Sequence, residues 1–386
     1  MIPYGRQDIN KDDIEAVVDV LRSDFLTQGP VVPAFEKSIA DYCGVHYAVA
    51  VNSATSALHI ACLALGVGEG DVIWTSPISF VASANCALYC GADVDFVDID
   101  PQTFNMSVEC LSVKLEQAEK LGNLPKVVIP VHLCGQPCDM ERIHALSLKY
   151  GFKIIEDASH AIGAKYKNRP VGNCEFSDIT VFSFHPVKII TTGEGGMAVT
   201  NNEILAKYLR LLRSHGITNN LLDMQIHPTD EVWNYQQVLL GFNYRMTDMQ
   251  AALGLSQMKR LDDFVSTRHL IADRYDETLS NLPLQLSEHL YEAYSAHHLY
   301  IIRIKKNKRS ITQRKLYDLM NASGVGVNLH YIPIYRQPYY ESKGFSPGYC
   351  SEAEKYYKET LSIPIYPTLI DKQQEKVICC LTEIFK

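Results

Sequence analysis

The sequence predicts an α/β fold, a large and mostly parallel sheet domain followed by a smaller C-terminal α+β domain. Two observations carry that reading. Over residues 45–215 short, continuous apolar runs alternate with helical segments, the pattern of strands covered by helices on both faces. Toward the C-terminus that alternation stops. At 386 residues, and with about 150 residues to a domain, two domains are expected, divided here as residues 1–250 and 251–386.

Residues 10–22 open with Asn10 as N-cap and Asp13 in the first turn, and Ile14, Val17, Val18 and Leu21 recur at helical spacing. LTQGP breaks that helix, and a second, with Phe35, Ile39 and Tyr42 turned inward, runs to Gly44. HYAVAV (46–51) is then a buried strand, TSALHIACLAL (55–65) a helix and DVIWTS (71–76) a strand. A helix over 80–90, the strand VDFVDI, a helix over 107–120 and the strand KVVIPVHL (126–133) follow. DMERIHALSLKY is helical, and KIIEDA, ITVFSF and GGMAVT are strands. Residues 216–240 are polar and irregular, a length at which loops serve function or cross an interface. One long helical stretch from Met246 to Leu282 leads out of the sheet. Beyond it come the strand LYIIRIK (299–305), a helix over 310–322, the extended GVGVNLHY (324–331) and helices near 351–360 and 371–386.

Apolar residues at 47% and charged residues at 21% exclude disorder and collagen. No apolar run approaches the ~20 residues of a membrane helix, and MIPYGRQDINKDD holds no hydrophobic signal core, so a cytoplasmic chain away from membranes is expected. A net charge of −8 argues against a nucleic-acid surface. A phosphate-bearing ligand therefore needs local donors. The 11 cysteines are scattered without a C-x-x-C pair, so buried, reduced thiols and no metal centre are expected.

A dinucleotide site does not fit. Gly66-Val67-Gly68-Glu69-Gly70 follows a helix and precedes a strand, the reverse of the Rossmann order, and reads as a helix C-terminal turn. Two other segments carry chemistry. In KIIEDASHAIGA, Asp157 closes a strand and His160 follows; in SDITVFSFHPVKIITTGEGG, Ser183 closes a strand and Lys188 lies in the loop beyond. Both fall at carboxyl ends of strands, where open α/β sheets place ligands. NSATSALH starts a helix directly after a strand, so the amides of Ala54–Ser56 and the Thr55 hydroxyl form an anion cup. Phe80 in SPISF can lay an aromatic face over the same spot. A phosphate cup, an aromatic plate, an aspartate and a lysine are what pyridoxal phosphate needs.

The succession NSATSALH, SPISFVASAN, EDASHAIGA, FSFHPVKIITTGEGG, LRSHGI and GFNYRMTDMQAALGLSQ resembles the sugar aminotransferases of the DegT/DnrJ/EryC1/StrS family, from LTQGP to HYIPIY. The resemblance implies a fold-type I pyridoxal-phosphate enzyme with pyridoxamine phosphate as its intermediate form. It makes Lys188 the Schiff-base lysine and proton shuttle, and Asp157 the partner of the ring nitrogen. His160 falls near the phenolic oxygen, Phe80 on the ring, and Ala54, Thr55 and Ser183 at the phosphate. Asn243 matches a residue that reaches the phosphate from the other subunit of a homodimer, with Arg245 as the alternative. His330 and Tyr331 are candidates for the sugar-nucleotide pocket, as is Arg245, a local cation for a diphosphate; a strand-end role for the first two stays open.

Within the family the chain is most similar to the C4-transaminases of the pseudaminic-acid route. That implies a UDP-4-keto-6-deoxy-N-acetylhexosamine substrate and L-glutamate as donor. A bacillosamine-type UDP-4-keto sugar is the alternative substrate. Lys188 at the Schiff-base position speaks against the family's dehydratases, which carry histidine there, and the intact lysine and aspartate speak against a non-catalytic regulator.

Overall fold

A computed structural model describes residues 1–224, 231–288, 290–305 and 309–386; part of the loop over 216–240 thus lies outside the described residues. Two helices come first, α1 (Lys11–Arg22) and α2 (Val31–Cys43). A seven-stranded sheet follows, built from β1 (Tyr47–Val51), β2 (Val72–Thr75), β3 (Asp93–Phe96), β4 (Val127–Ile129), β5 (Lys153–Asp157), β8 (Ile179–Ser183) and β9 (Gly196–Thr200). A small hairpin, β6 (Lys165–Tyr166) and β7 (Arg169–Pro170), interrupts the series. The order is β1-β9-β8-β5-β4-β2-β3, and only β9 runs against the others. Six strands therefore end on one edge.

Helices cover both faces because the strands are apolar on both. Val49 and Val51 pack with α3 (Ala54–Ala64), α4 (Ala82–Tyr89) and α7 (Glu203–Arg213). Ala48 and Ala50, pointing the other way, pack with Phe35 and Ile39 of α2 and with α8 (Asp248–Met258) and α9 (Leu261–Leu279). Further along that second face Trp74, Val128 and Ile154 meet α5 (Val108–Leu121) and α6 (Met140–Tyr150). Each alternation follows from the period of two along a strand.

Two expectations change in detail. In α1 the predicted capping is present, with Asn10 and Asp13 in a reciprocal box, yet Ile14 and Leu21 are exposed while Asp13 and Val20 are buried. Asp13 is held there by Arg260 and by Gln257 at 2.7 Å, so a buried ion pair rotates the helix away from its apolar stripe. The stretch 246–282 is two helices, α8 and α9, broken where Lys259 and Arg260 turn the chain.

After two short strands, β10 (Ile217–Thr218) and β11 (Gln236–Gln237), the C-terminal part forms a second antiparallel sheet. It comprises β12 (Leu284–Leu286), β14 (Tyr300–Ile304) and β15 (Thr360–Ile363), with β13 (Ala293–Tyr294) pairing instead with β6. Helices α9, α10 (Gln313–Ala322) and α13 (Asp371–Phe385) cover it; α11 (Pro338–Glu341) and α12 (Ser351–Glu359) pack toward the large sheet. GVGVNLHY is extended but forms only single bridges, Val325 to Ile2 and Asn328 to Ser362. It leads directly to His330 and Tyr331. No helix of the described residues is long and apolar enough to cross a membrane.

Candidate active site

The site lies at the common strand edge. β5 and β8 are parallel neighbours with Asp157 opposite Val181, so Asp157 and Ser183 end on the same side. Asp157 is buried, its Oδ2 accepting the Ser83 hydroxyl at 2.6 Å and its Oδ1 the Ser159 amide at 3.1 Å. Ser83 was not singled out from the sequence, although it sits in SPISFVASAN; its hydroxyl also lies 2.7 Å from that of Ser79, four residues earlier.

Lys188 stands on a tight loop. Phe184 and Gly195 close it backbone to backbone at 2.9 Å, and the Thr191 and Thr192 hydroxyls bond inside it to the carbonyls of Phe184 and Glu194. Burial lowers the Lys188 amine to about 8, and the nearby Asp157 carboxylate offsets only part of that. At neutral pH about a tenth of such an amine is the free base, far more than for an ordinary lysine.

The cup is formed at the start of α3. Ser53 caps it, its hydroxyl accepting the Ser56 amide at 3.1 Å. The expected three free amides are therefore two: Ala54 and Thr55, which as the first helical residues have no intrahelical acceptor. β9 presses on this helix start. A Cβ on Gly196 would lie 2.5 Å from the Ser53 carbonyl carbon and 2.6 Å from the Ala54 nitrogen, and Gly196 is the register partner of Ser183. That glycine contact seats β9, whose neighbour on the sheet at this register is Ser183, against the start of α3.

His160 is buried and held at both ring nitrogens. The Cys134 amide donates to Nδ1 at 3.2 Å, and Nε2 lies 3.2 Å from the Tyr331 hydroxyl. Burial first, and then the charge of Lys188, keep its pKa well below the ordinary histidine value. Phe80 is 60% exposed, with its ring centre 6.5 Å from that of Tyr331. His330 is buried against the small sheet with Nδ1 2.8 Å from the Ser362 hydroxyl, and burial lowers its pKa to about 4.

Asn243 and Arg245 lie on an extended segment beside β1, bridged to Ser214 and Val51 respectively. Asn243 is exposed. Arg245 borders an open cleft of about 430 Å³ with Gln28, Ser214 and Trp233. His298, not assigned from the sequence, is buried with its ring centre 4.4 Å from that of His160. Behind it the buried guanidinium of Arg268 donates to the carbonyls of His297, His298 and Ile365.

An anion cup, an aromatic face, a buried carboxylate and a lysine amine lowered to about 8 thus lie along the strand edge, and the residues fit pyridoxal phosphate. The sequence profile described as the DegT/DnrJ/EryC1/StrS aminotransferase family matches residues 7–382. The chain is 38% identical over 388 residues to the spore coat polysaccharide biosynthesis protein SpsC of Bacillus subtilis, covering 100% of this chain and 97% of that protein. It is 38% identical over 368 residues to the UDP-4-amino-4,6-dideoxy-N-acetyl-β-L-altrosamine transaminase of Campylobacter jejuni, covering 95% and 93%. Among solved structures, Helicobacter pylori PseC, described as an aminotransferase of pseudaminic acid biosynthesis, superposes with a TM-score of 0.89 at 30% identity, covering 100% and 99%. A putative sugar aminotransferase of Streptococcus pneumoniae in its PMP form gives the same TM-score, identity and coverage. The chain is a pyridoxal-phosphate-dependent aminotransferase and belongs to the DegT/DnrJ/EryC1/StrS family.

Proposed function

We propose that this enzyme transfers the amino group of L-glutamate to C4 of a UDP-4-keto-6-deoxy-N-acetylhexosamine, as a cytoplasmic homodimer. The observation that carries the transfer chemistry is the Lys188 amine on the loop that leaves β8, lowered by burial to about 8, with the Asp157 carboxylate close enough to offset part of that. Bound pyridoxal phosphate supplies a carbonyl carbon for amine exchange and a ring that spreads the charge left when a proton is removed. The protein does the rest. Lys188 Nζ takes the proton from the donor carbon and later delivers one to sugar C4, which requires a base of matched pKa. The Asp157 carboxylate is the ionic partner for the ring nitrogen. The Ala54 and Thr55 amides with the Thr55 and Ser183 hydroxyls bind the phosphate, Phe80 covers the ring, and His160 lies toward its phenolic oxygen.

The sugar is supported by likeness to the Campylobacter transaminase and to PseC. Arg245 is the cation for the diphosphate, and Tyr331 faces the reacting groups. His330, turned to Ser362, supports the pocket wall from behind. The dimer is supported by exposed apolar side chains on the loop that leads to Asn243 and on α1. Trp233 is 74% exposed and Leu240 79% exposed, and Ile14 and Leu21 line an uncovered side of α1. In this reading Asn243 of the partner subunit completes the phosphate site.

Turnover with the two C5-epimeric UDP-4-keto-6-deoxy-N-acetylhexosamines, with product configuration at C4 read by NMR, tests the proposal. Amination of the altrosamine precursor with release of 2-oxoglutarate is expected. Turnover of neither epimer would sink it.

A further inference from the structure

One chain of hydrogen bonds in the site has a direction that can be deduced. The Cys134 backbone amide can only donate, so the Nδ1 atom of His160 that receives it at 3.2 Å carries no proton. In a neutral imidazole the proton must then sit on Nε2, the atom 3.2 Å from the Tyr331 hydroxyl. The imidazole stays neutral for a stated reason. It is buried, the Lys188 charge opposes a second one, and His330 and His298 face it from the other elements packed there. His160 therefore donates to the Tyr331 oxygen, and the phenol's own proton is left to point elsewhere. Tyr331 also keeps that proton, since burial foremost, with Cys134, Tyr4 and Asp157 adding to it, raises its pKa well above the ordinary tyrosine value.

Where the hydroxyl stands gives its target. The Tyr331 ring lies between Phe80, at 6.5 Å between centres, and His160, at 6.2 Å and nearly parallel. The charge of Lys188 acts on His160, and the Asp157 carboxylate acts on Tyr331 itself. We propose that Tyr331 is a hydrogen-bond donor to an anionic oxygen of the molecules that react at Lys188, its direction fixed by the Cys134 amide acting through His160. Two such oxygens meet in this site, the phenolate of the pyridoxal ring and the carboxylate of the amino-acid donor. His160 is in this respect a positioning residue. The inference rests on Lys188 being the reacting lysine and is independent of which sugar is used.

The test is a double-mutant cycle on the holoenzyme with L-glutamate as donor. Tyr331→Phe removes the proton and little else. If the ring phenolate is the target, the pH at which the bound-cofactor absorption band titrates should rise by about one unit, because the more negative form loses a charge-assisted bond. If the donor carboxylate is the target, the band should stay put while KM for glutamate rises about tenfold or more. Either result supports the proposal. The effect should persist in a His160→Gln background, where the amide can accept from Cys134 and donate to Tyr331. It should shrink in His160→Leu, where nothing holds the phenol. A folded Tyr331→Phe enzyme with neither change, or an equal effect in the Gln and Leu backgrounds, would overturn the inference. So would a proton found on Nδ1 of His160 by ¹⁵N NMR of the cofactor-free wild-type protein, a measurement that needs no variant and no activity.

Discussion

The Ser83 hydroxyl donates to Asp157 Oδ2 at 2.6 Å, which ties the first turns of α4 to the end of β5. The contact does two things. It fixes the rotamer of the carboxylate proposed here as the partner of the cofactor ring, and it links the loop carrying Phe80 to the strand carrying Asp157. Ser83→Ala should therefore fold normally but leave Asp157 held only by the Ser159 amide. A hydrogen bond to a charged group contributes about 1.5–3 kcal/mol, so a reduction of the cofactor band by glutamate in single turnover slower by about ten- to a hundredfold is expected. Asp157→Asn should be slower still, since an amide cannot stabilise a protonated ring nitrogen. Unchanged single-turnover rates in both variants would mean that Asp157 is not the ring's partner.

The depressed lysine has a pH signature. Lys188 sits at about 8 in the folded chain against an ordinary 10.5. Between those values the unfolded chain binds more protons than the folded one, so stability of the cofactor-free protein rises as pH rises through that window. Below about 8 the folded state must hold a buried charge. Lys188→Met should accordingly raise the thermal midpoint of the cofactor-free protein at pH 7, and the gain should vanish by the pH where ordinary lysines titrate. A midpoint that does not move at pH 7 would place the amine in solvent.

Gly196 leaves no room for a side chain, although its φ is not left-handed. The obstacle is backbone, the Ser53 carbonyl and the Ala54 amide, and cannot swing aside. Gly196→Ala should push β9 off the start of α3, separating Ser183 from Ala54 and Thr55. The expected result is at least about tenfold weaker binding of pyridoxal phosphate, read by titrating the cofactor-free protein, with a lower thermal midpoint. Wild-type cofactor affinity would show that the cup tolerates the shift.

A site shared between subunits predicts complementation. Lys188→Ala and, separately, Asn243→Asp, whose carboxylate would repel the phosphate, should each give nearly inactive homodimers. In a mixed dimer one site receives both changes and the other receives neither. Random exchange makes about half the dimers mixed, so about a quarter of wild-type activity should return. Confirmed exchange with no recovery would exclude Asn243 as the residue acting across the dimer and bring Arg245 forward.

The sequence by itself determined the sheet, because strands apolar on both faces alternating with helices admit few other folds. It also determined the residues at the strand ends, since Asp157, Ser183 and Lys188 stand where a chain leaves the sheet, and the order of motifs sufficed to identify the family. Tertiary structure decided what sequence spacing does not encode. Ser83 meets Asp157 across 74 residues, and Tyr331 meets His160 across 171; neither pair has a local periodicity to betray it. The turning of α1 away from its apolar stripe was likewise invisible, because it depends on Arg260 and Gln257 arriving from more than two hundred residues away to bury Asp13. Local propensity and hydrophobic period act over a few residues, whereas the direction of a hydroxyl proton in the site depends on three segments, around Cys134, His160 and Tyr331, that only the folded chain brings within hydrogen-bond reach.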